Sequence, residues 1–570
     1  MTTPSQQAGS HGRILTQGSA TGEVLSCTEG LSFWGGVDPD TGRIIDVHHP
    51  RHGASVTGKI LLMPSSRGSC SGSGVLLELS LNGLAPAAFI FCEPEEILTL
   101  GTLVSDRIFG RPIPTVSLSR SDYDRVSAAT TATIRGNRLE ADGFERELRP
   151  AQSAELQLSE RDQWYLGGGA GPAAKLAMEI ICLMAAREGT DRLIDVTRGH
   201  IDGCILAHSA NLIFAEKMAE LGAQVSVPTT INAISVDRQN WRSQNVPAEF
   251  GDRASRLADA YVRMGARPTF TCAPYLLDGA PELGEVIGWS ESNAVIFANS
   301  VLGARTPKHP DYLDLFIAMT GRAPASGVYT QDGRVPGTIL DFASIPTAHD
   351  DLLWPLIGWL AGKHAPDSIP LLTGLESLQA SQDDLKALCA AFGTTSGAPM
   401  LHIAGHTPEA HLIPARDAPR YVIGRTELLD AWRELNRGAE KIDLVAIGSP
   451  HASLAEIRRL ADLLENRHCN PGTQMVVTIG RDSLRDAASE DLADRLQQAG
   501  VRLIPDLCWC SITEPIFPPH AQGLMTNSGK YAHYAHGLSG RHARLGSLEA
   551  CVEAAVRGAT ADAPPEWLRG

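Results

Sequence analysis

The sequence predicts a two-part chain, with a small β-rich domain over residues 1–150 and a large α/β domain with parallel sheets over 151–570. Three observations predict it. The 570 residues are 43% hydrophobic and 20% charged, enough for more than one core. The first part offers short apolar runs punctuated by glycine, "GKILLMPSS", "GVLLELSLN" and "AAFIFCE", without a long helical period. From about residue 155 apolar runs alternate with helical patterns, as in parallel α/β architecture.

In the first part, one helix is expected in "PEEILTLGTLVSD", with Pro94 at its start. Residues 63–76, "MPSSRGSCSGSGVL", read as a Ser/Gly loop between two strands, whose amides can cradle a carboxylate or phosphate. It is not a P-loop, because it lacks the Gly-Lys-Ser/Thr ending and the following helix. The polar text from Leu118 to Asp162 carries little apolar mass and reads as a connecting region.

In the second part, "GPAAKLAMEIICLMAAREG" and "HSANLIFAEKMAELG" are expected helices, the latter ending at a glycine. "RLIDV", "AQVSV", "RPTFTC", "PMLHIAG", "IDLVAIG", "TQMVVTIG" and "VRLIPD" are expected strands. Ser453 with Glu456 makes a capping box for the helix after "IGSPHA".

A net charge of −16 lacks the broad positive field that phosphate backbones require, so nucleic acid is not an expected partner. No run of eighteen apolar residues exists to cross a membrane, and "MTTPSQQAGSHG" has no apolar signal core. The expectation is a cytoplasmic monomer acting on a small molecule. Its 11 cysteines then read as free thiols or metal ligands rather than disulfides.

In parallel sheets, ligands collect beyond the carboxyl ends of the strands. Cys272 closes "RPTFTC", and Cys508 and Cys510 follow "VRLIPD", flanking Trp509. Core filler, a redox pair and metal ligands all remain open for them. Cys182, Cys389 and Cys551 fall within apolar helical patterns and read as core, as does Cys92 after "AAFIF". Polar loops gather at the same predicted edge: Arg198, His200 and Asp202; Thr229, Thr230 and Asn232; Glu291, Ser292 and Asn293; His406; Ser449 and His451; Asn527, Ser528 and Lys530. Singly, each is an ordinary cap or turn. Together they mark a candidate site.

"WGGVDPDTGRIID", "RGSCSGSG", "NGLAPAAFIF" and "GRPIPTV" resemble the small swivelling domain of the aconitase X family. "HIDGCIL", "VPTTINAISVDR", "MGARPTFTCAPY", "ESNAVIFANSVLGART" and "MTNSGKYAHY" resemble its large catalytic domain. The small-domain-first, single-chain order is similar to the bacterial type, associated with dehydration of cis-3-hydroxy-L-proline. A two-subunit archaeal type is associated with mevalonate 5-phosphate.

The resemblance implies an iron–sulfur cluster in the large domain, with Cys272 and Cys508 at ligand positions. Ser449 stands where archaeal members carry a cysteine, and an alcohol is a poor ligand for soft iron–sulfur iron. The third ligand is then Cys510, or else His451 or His406. Fewer thiolates favour [2Fe–2S], with [3Fe–4S] and [4Fe–4S] as alternatives. The resemblance also implies a small-domain serine as catalytic base, matched by Ser71, with Ser69 and Ser73 close by. Arg67, Gly72 and Ser73 are the expected loop contacts to substrate. Lys530 is an expected catalytic donor to the substrate carboxylate. His200, Asp202, Thr229, Thr230, Asn232, Glu291, Ser292 and Asn293 are expected substrate contacts, with Asp202 or Glu291 accepting from a ring nitrogen. A non-catalytic iron–sulfur regulator is disfavoured by the acidic charge and the intact serine loop.

Overall fold

The computed structural model describes residues 12–150, 156–512 and 514–569. Its contacts divide into two units. One comprises Met1–Gly199, His208–Val227 and His309–Ser326, and the other His200–Ala207, Pro228–Lys308 and Gly327–Gly570.

The first unit contains a closed barrel of eight strands. In spatial order these are Gly12–Thr16, Phe144–Pro150, Arg138–Ala141, Thr131–Arg135, Ser19–Ser26, Ile60–Leu62, Ala88–Phe91 and Thr115–Ser117. The polar text after Leu118 is therefore not a connector. It forms the helix Arg120–Ser127, capped by Ser119, and then three barrel strands. Its apolar residues are few but alternate: Ala132, Ile134, Leu139, Ala141, Phe144 and Leu148 all enter the barrel core. Period-two placement, not apolar mass, makes these residues strands. The last of them closes the barrel by pairing parallel with the first, Gly12 opposite Leu148.

"GVLLELSLN" corrects a second expectation. It is the helix Gly72–Leu81, not a strand, and every residue from Gly72 to Ser80 is buried. A helix buried on all sides shows no amphipathic period, so a short apolar run could not be told from a strand. The Ser/Gly loop consequently joins a strand to a helix N-terminus. The helix expected after Pro94 runs Ile97–Phe109 and ends at left-handed Gly110. Pro172–Glu188 and Ser209–Glu220 are helical as expected.

The second unit carries two parallel sheets. One orders His402–Ile403, Pro370–Thr373, Thr338–Ser344 and Arg420–Gly424; the other orders Val501–Pro505, Gln474–Ile479, Leu444–Ala452, Leu524–Thr526 and Ala543–Leu545. Leu444–Ala452 is buried at every position, as a central strand covered on both faces should be. Ser453 and Glu456 form the expected capping box.

"AQVSV" and "RPTFTC" are not strands. In the first unit, Ser226 and Val227 spend their amides on Ala318 O. In the second, Arg267 makes only an isolated bridge to Thr230, and Phe270 takes φ 42°, which interrupts an extended run. Cys182, Cys389 and Cys551 are buried within helices, as expected. No helix among the described residues is long and apolar enough to cross a membrane.

Candidate metal centre and serine loop

The strand Val501–Pro505 ends at Asp506, which adopts φ 72°. Aspartate tolerates this left-handed conformation better than most residues, and here its carboxylate is tied down. Oδ2 accepts from the Arg238 amide at 3.0 Å and pairs with Arg481. The turn delivers Cys508-Trp509-Cys510 beside Cys272. Trp509 points into the core, its Nε1 donating to Ile447 O at 2.7 Å and its ring 5.0 Å from that of Tyr531. Ser511 closes the turn: its amide donates to Cys508 O at 2.8 Å, and its hydroxyl accepts from the Cys508 amide at 3.2 Å.

Cys272 and Cys508 form a small buried cluster with Ala233, and Cys510 packs against it. Hydrogen bonds from the Cys272 and Cys510 thiols, outweighing burial, hold the Cys508 thiol well below its ordinary range. Burial, with the Cys508 sulfur alongside, pushes Cys272 up; the same neighbour and burial push Cys510 up. One thiolate hydrogen-bonded by two further thiols is a soft donor set.

The alternative ligands are placed otherwise. His451 has both ring nitrogens engaged: Nε2 lies 2.6 Å from Leu507 O and Nδ1 3.0 Å from Thr271 Oγ1. His406 bonds Leu375 O through Nε2 at 2.9 Å, with its ring edge-on to Trp354. Cys510 is thus the third candidate that lies with Cys272 and Cys508, whereas the His451 ring and His406 Nε2 are bonded elsewhere. The Ser449 hydroxyl is buried without a hydrogen-bond partner among the described residues.

Lys530 sits at the start of the helix Gly529–Ser539, capped by Ser528. Its Nζ lies 2.9 Å from Glu291 Oε1, and both side chains are largely buried. Burial alone would lower the ammonium's pKa, but Glu291 and the three cysteines raise it well above the ordinary lysine range. Glu291 also caps the helix Ser292–Phe297 by accepting from Asn293 N at 2.5 Å. Asn293 in turn donates from Nδ2 to Cys272 O at 3.1 Å and accepts from Tyr275 Oη at 2.9 Å. This side chain braces the Cys272 segment.

His200 is fully buried beside Trp289, with Nδ1 2.8 Å from Thr230 Oγ1. Burial drives its pKa down to about 3, so it is neutral. Asn232 Nδ2 donates to Asp202 Oδ1. Thr229 is buried at the start of the strand Thr229–Ile231, and Ser292 is partly exposed.

In the first unit, Ser71 caps the helix Gly72–Leu81 through its backbone, since its side chain makes no capping bond. Its carbonyl accepts from Gly74 N at 3.0 Å, and its amide donates to Ser69 Oγ at 3.3 Å. Ser73 differs. It is fully buried and its hydroxyl donates to Ile97 O at 2.7 Å. Arg67 is exposed and paired with Asp46 at 3.1 Å and Glu29 at 3.6 Å, so its charge is directed at carboxylates, not at the serines. A Cβ at Gly72 would lie 3.0 Å from Ile97 Cγ2, a tight approach that the Ile97 side chain would have to relieve.

Sequence reasoning missed Thr271, Tyr275, Trp289 and the turn at Asp506. Thr271 and Asp506 lie close to the cysteines in sequence, which was the available signal. Tyr275 and Trp289 left none, because buried aromatics are ordinary core.

Family models match nearly the whole chain: the aconitase X swivel domain over residues 9–141, first domain over 155–332, second over 336–433 and third over 442–557. The chain is 47% identical to a cis-3-hydroxy-L-proline dehydratase of Pseudomonas aeruginosa, covering 98% of each. It is 45% identical to one of Hypocrea jecorina, over 96% of this chain and 95% of the relative. The large subunit of a phosphomevalonate dehydratase from Thermococcus kodakarensis is 30% identical, over 70% of this chain and 100% of that subunit. The crystal structure of Thermococcus kodakaraensis aconitase X in its holo-form superposes with a TM-score of 0.63 at 28% identity, covering 70% of this chain and all of that one. The chain belongs to the aconitase X family and carries the swivel and the three following domains in one polypeptide.

Proposed function

We propose that this chain is a hydro-lyase that converts cis-3-hydroxy-L-proline to Δ1-pyrroline-2-carboxylate. The observation that carries the reading is the likeness to the Pseudomonas aeruginosa dehydratase at 47% identity over 98% of both chains. The α-proton leaves to a base and the 3-hydroxyl leaves with its electron pair as water forms. The enamine that results tautomerises to the imine. We take residues 1–150 as the swivelling domain and 151–570 as the catalytic domain.

Cys272, Cys508 and Cys510 fit an iron–sulfur cluster, because the Cys508 sulfur accepts hydrogen bonds from the other two thiols and is already favoured as thiolate. When bound there, such a cluster, [2Fe–2S] by the count of thiols, supplies Lewis acidity toward the departing hydroxyl. Ser71 is the base. A serine hydroxyl needs its alkoxide stabilised, and the positive end of the dipole of the helix that Ser71 opens favours that charge. Lys530 holds the substrate carboxylate as charge develops on the α-carbon, and Glu291 keeps the ammonium protonated in its buried setting.

Anaerobically purified protein should contain iron and sulfide and should dehydrate cis-3-hydroxy-L-proline, but not its trans epimer or mevalonate 5-phosphate. Cys272→Ala, Cys508→Ala and Cys510→Ala should each lose iron and activity, whereas Cys389→Ala should keep both. A preference for mevalonate 5-phosphate would overturn the substrate, and full iron in a Cys510→Ala protein would remove that residue from the ligand set.

A further inference from the structure

We infer that His451 is a positioning residue that staples together the two chain segments bearing the proposed cluster thiolates, an inference that rests on the ligand set proposed above. The ring bonds the residue immediately before each cysteine. Nε2 lies 2.6 Å from Leu507 O, next to Cys508, and Nδ1 lies 3.0 Å from Thr271 Oγ1, next to Cys272. A carbonyl oxygen can only accept, so Nε2 carries the hydrogen, and Nδ1 is left to accept from the threonine hydroxyl. The His451 amide donates to Cys272 Sγ at 3.4 Å. One residue thus touches both cysteine segments and one of the sulfurs.

The segments 271–272 and 507–508 are far apart in sequence. Among the described residues, the bonds to the Cys272 and Cys508 segments through this ring are both internal to the second unit. His451 is held in turn at its own carbonyl, which accepts from Lys386 Nζ at 3.3 Å. Lys386 is buried and paired with Asp383 at 2.9 Å and with Glu456, the residue that completes the capping box with Ser453. The imidazole is therefore fixed to a rigid helix start while its ring sets the spacing of the thiols. A side chain fully buried with both nitrogens satisfied is pre-organised, which is what a metal site asks of its supporting shell. An N–H aimed at a ligating sulfur also withdraws charge from it and tunes the potential of the bound cluster.

The test compares holo-protein of the wild type, His451→Gln, His451→Ala and Thr271→Val. The wild type must first carry iron and sulfide; a wild type without them would sink the ligand set and not the staple in particular. In loaded protein, the rate of iron loss to a ferrous chelator should rise at least tenfold in His451→Ala. The electron paramagnetic resonance of the reduced protein should broaden or shift. His451→Gln, which can still donate to Leu507 O, should recover part of both effects. Thr271→Val removes one ring bond, together with the acceptor of the Ala273 amide, and should move both in the same direction by a smaller factor, which keeps the test decisive if His451→Ala does not fold. Unchanged iron release and an unchanged spectrum in Thr271→Val and in either soluble His451 variant would overturn the proposal.

Discussion

Lys530 and Glu291, 239 residues apart in sequence, meet as a buried ion pair with Nζ and Oε1 separated by 2.9 Å. A paired cation in a dry site is expensive to build and strongly destabilising to break, so it persists where its charge has a use. Its surroundings give that use: the positive charge acts on all three cysteine sulfurs and favours the Cys508 thiolate.

Two substitutions separate charge from packing at this pair. Lys530→Met keeps the volume and removes the ammonium. We expect folding and much of the iron to survive while kcat falls by about 10²-fold or more, the loss typical of one preorganised electrostatic contact. Glu291→Gln leaves the lysine buried without its anion and should cost about 3 kcal/mol of stability. Thermal melts beside steady-state rates would distinguish the two; a Lys530→Met protein with normal turnover would remove Lys530 from catalysis.

The serine loop makes a three-way prediction. Ser71→Ala should lower kcat by about 10²–10⁴-fold with iron content and melting temperature unchanged. Ser73→Ala deletes the bond to Ile97 O and should cost stability, about 1 kcal/mol, with little change in rate. Ser69→Ala should fall between them, because its oxygen accepts from the Ser71 amide. Solvent exchange of the substrate α-proton is the direct readout. If exchange persists in Ser71→Ala and stops in Ser69→Ala, the base is Ser69.

Asp506 is predicted to matter for geometry more than for charge alone. Asp506→Ala places a residue that disfavours φ 72° at the turn and leaves Arg481 with Asp237, at 3.1 Å, as its remaining carboxylate. A loss of about 1–2 kcal/mol, from the left-handed backbone, and a drop in iron content are expected. Asp506→Asn tolerates the left-handed turn and should retain more iron. Equal iron in both variants would show that the turn does not set the position of Cys508.

Acid should destabilise the protein through His200. Between pH 6.5, its ordinary value, and about 3, its folded value, the unfolded chain binds a proton that the folded chain does not. Stability therefore falls as pH drops through that window, by about 2 kcal/mol at pH 5 for one such group. His309, also pushed down to about 3 by burial, adds in the same sense. Denaturant melts from pH 7 to 5 should reveal the slope, and His200→Gln should flatten it. A wild-type stability that is level across this range would rule the linkage out.

Much of this architecture is written in local pattern. Ser453 with Glu456 announces a capping box, and "IDLVAIG" and "TQMVVTIG" announce buried parallel strands, because side-chain period and cap chemistry act within a few residues. The family resemblance was legible in long strings such as "ESNAVIFANSVLGART". Two readings failed for the same reason. The helix Gly72–Leu81 is buried on every side, and the strands after Thr131 are thinly apolar, so what decides each is the partner it packs against. Local pattern carries no record of that partner.

The sequence by itself determined that this is an acidic, two-part chain with thiols after strand-like runs and a Ser/Gly loop in its first part. Only the tertiary structure decided which groups meet. It brought Cys272 to Cys508 and Cys510, turned His451 and His406 onto carbonyl oxygens, sent the Ser73 hydroxyl to Ile97, and set Lys530 against Glu291. The physical reason is range. Helix periods, caps and turns are fixed by interactions over a few residues along the chain. A thiol 236 positions from its neighbour (272 to 508) is placed by packing and by buried polar groups seeking partners, and these have no signature in local order.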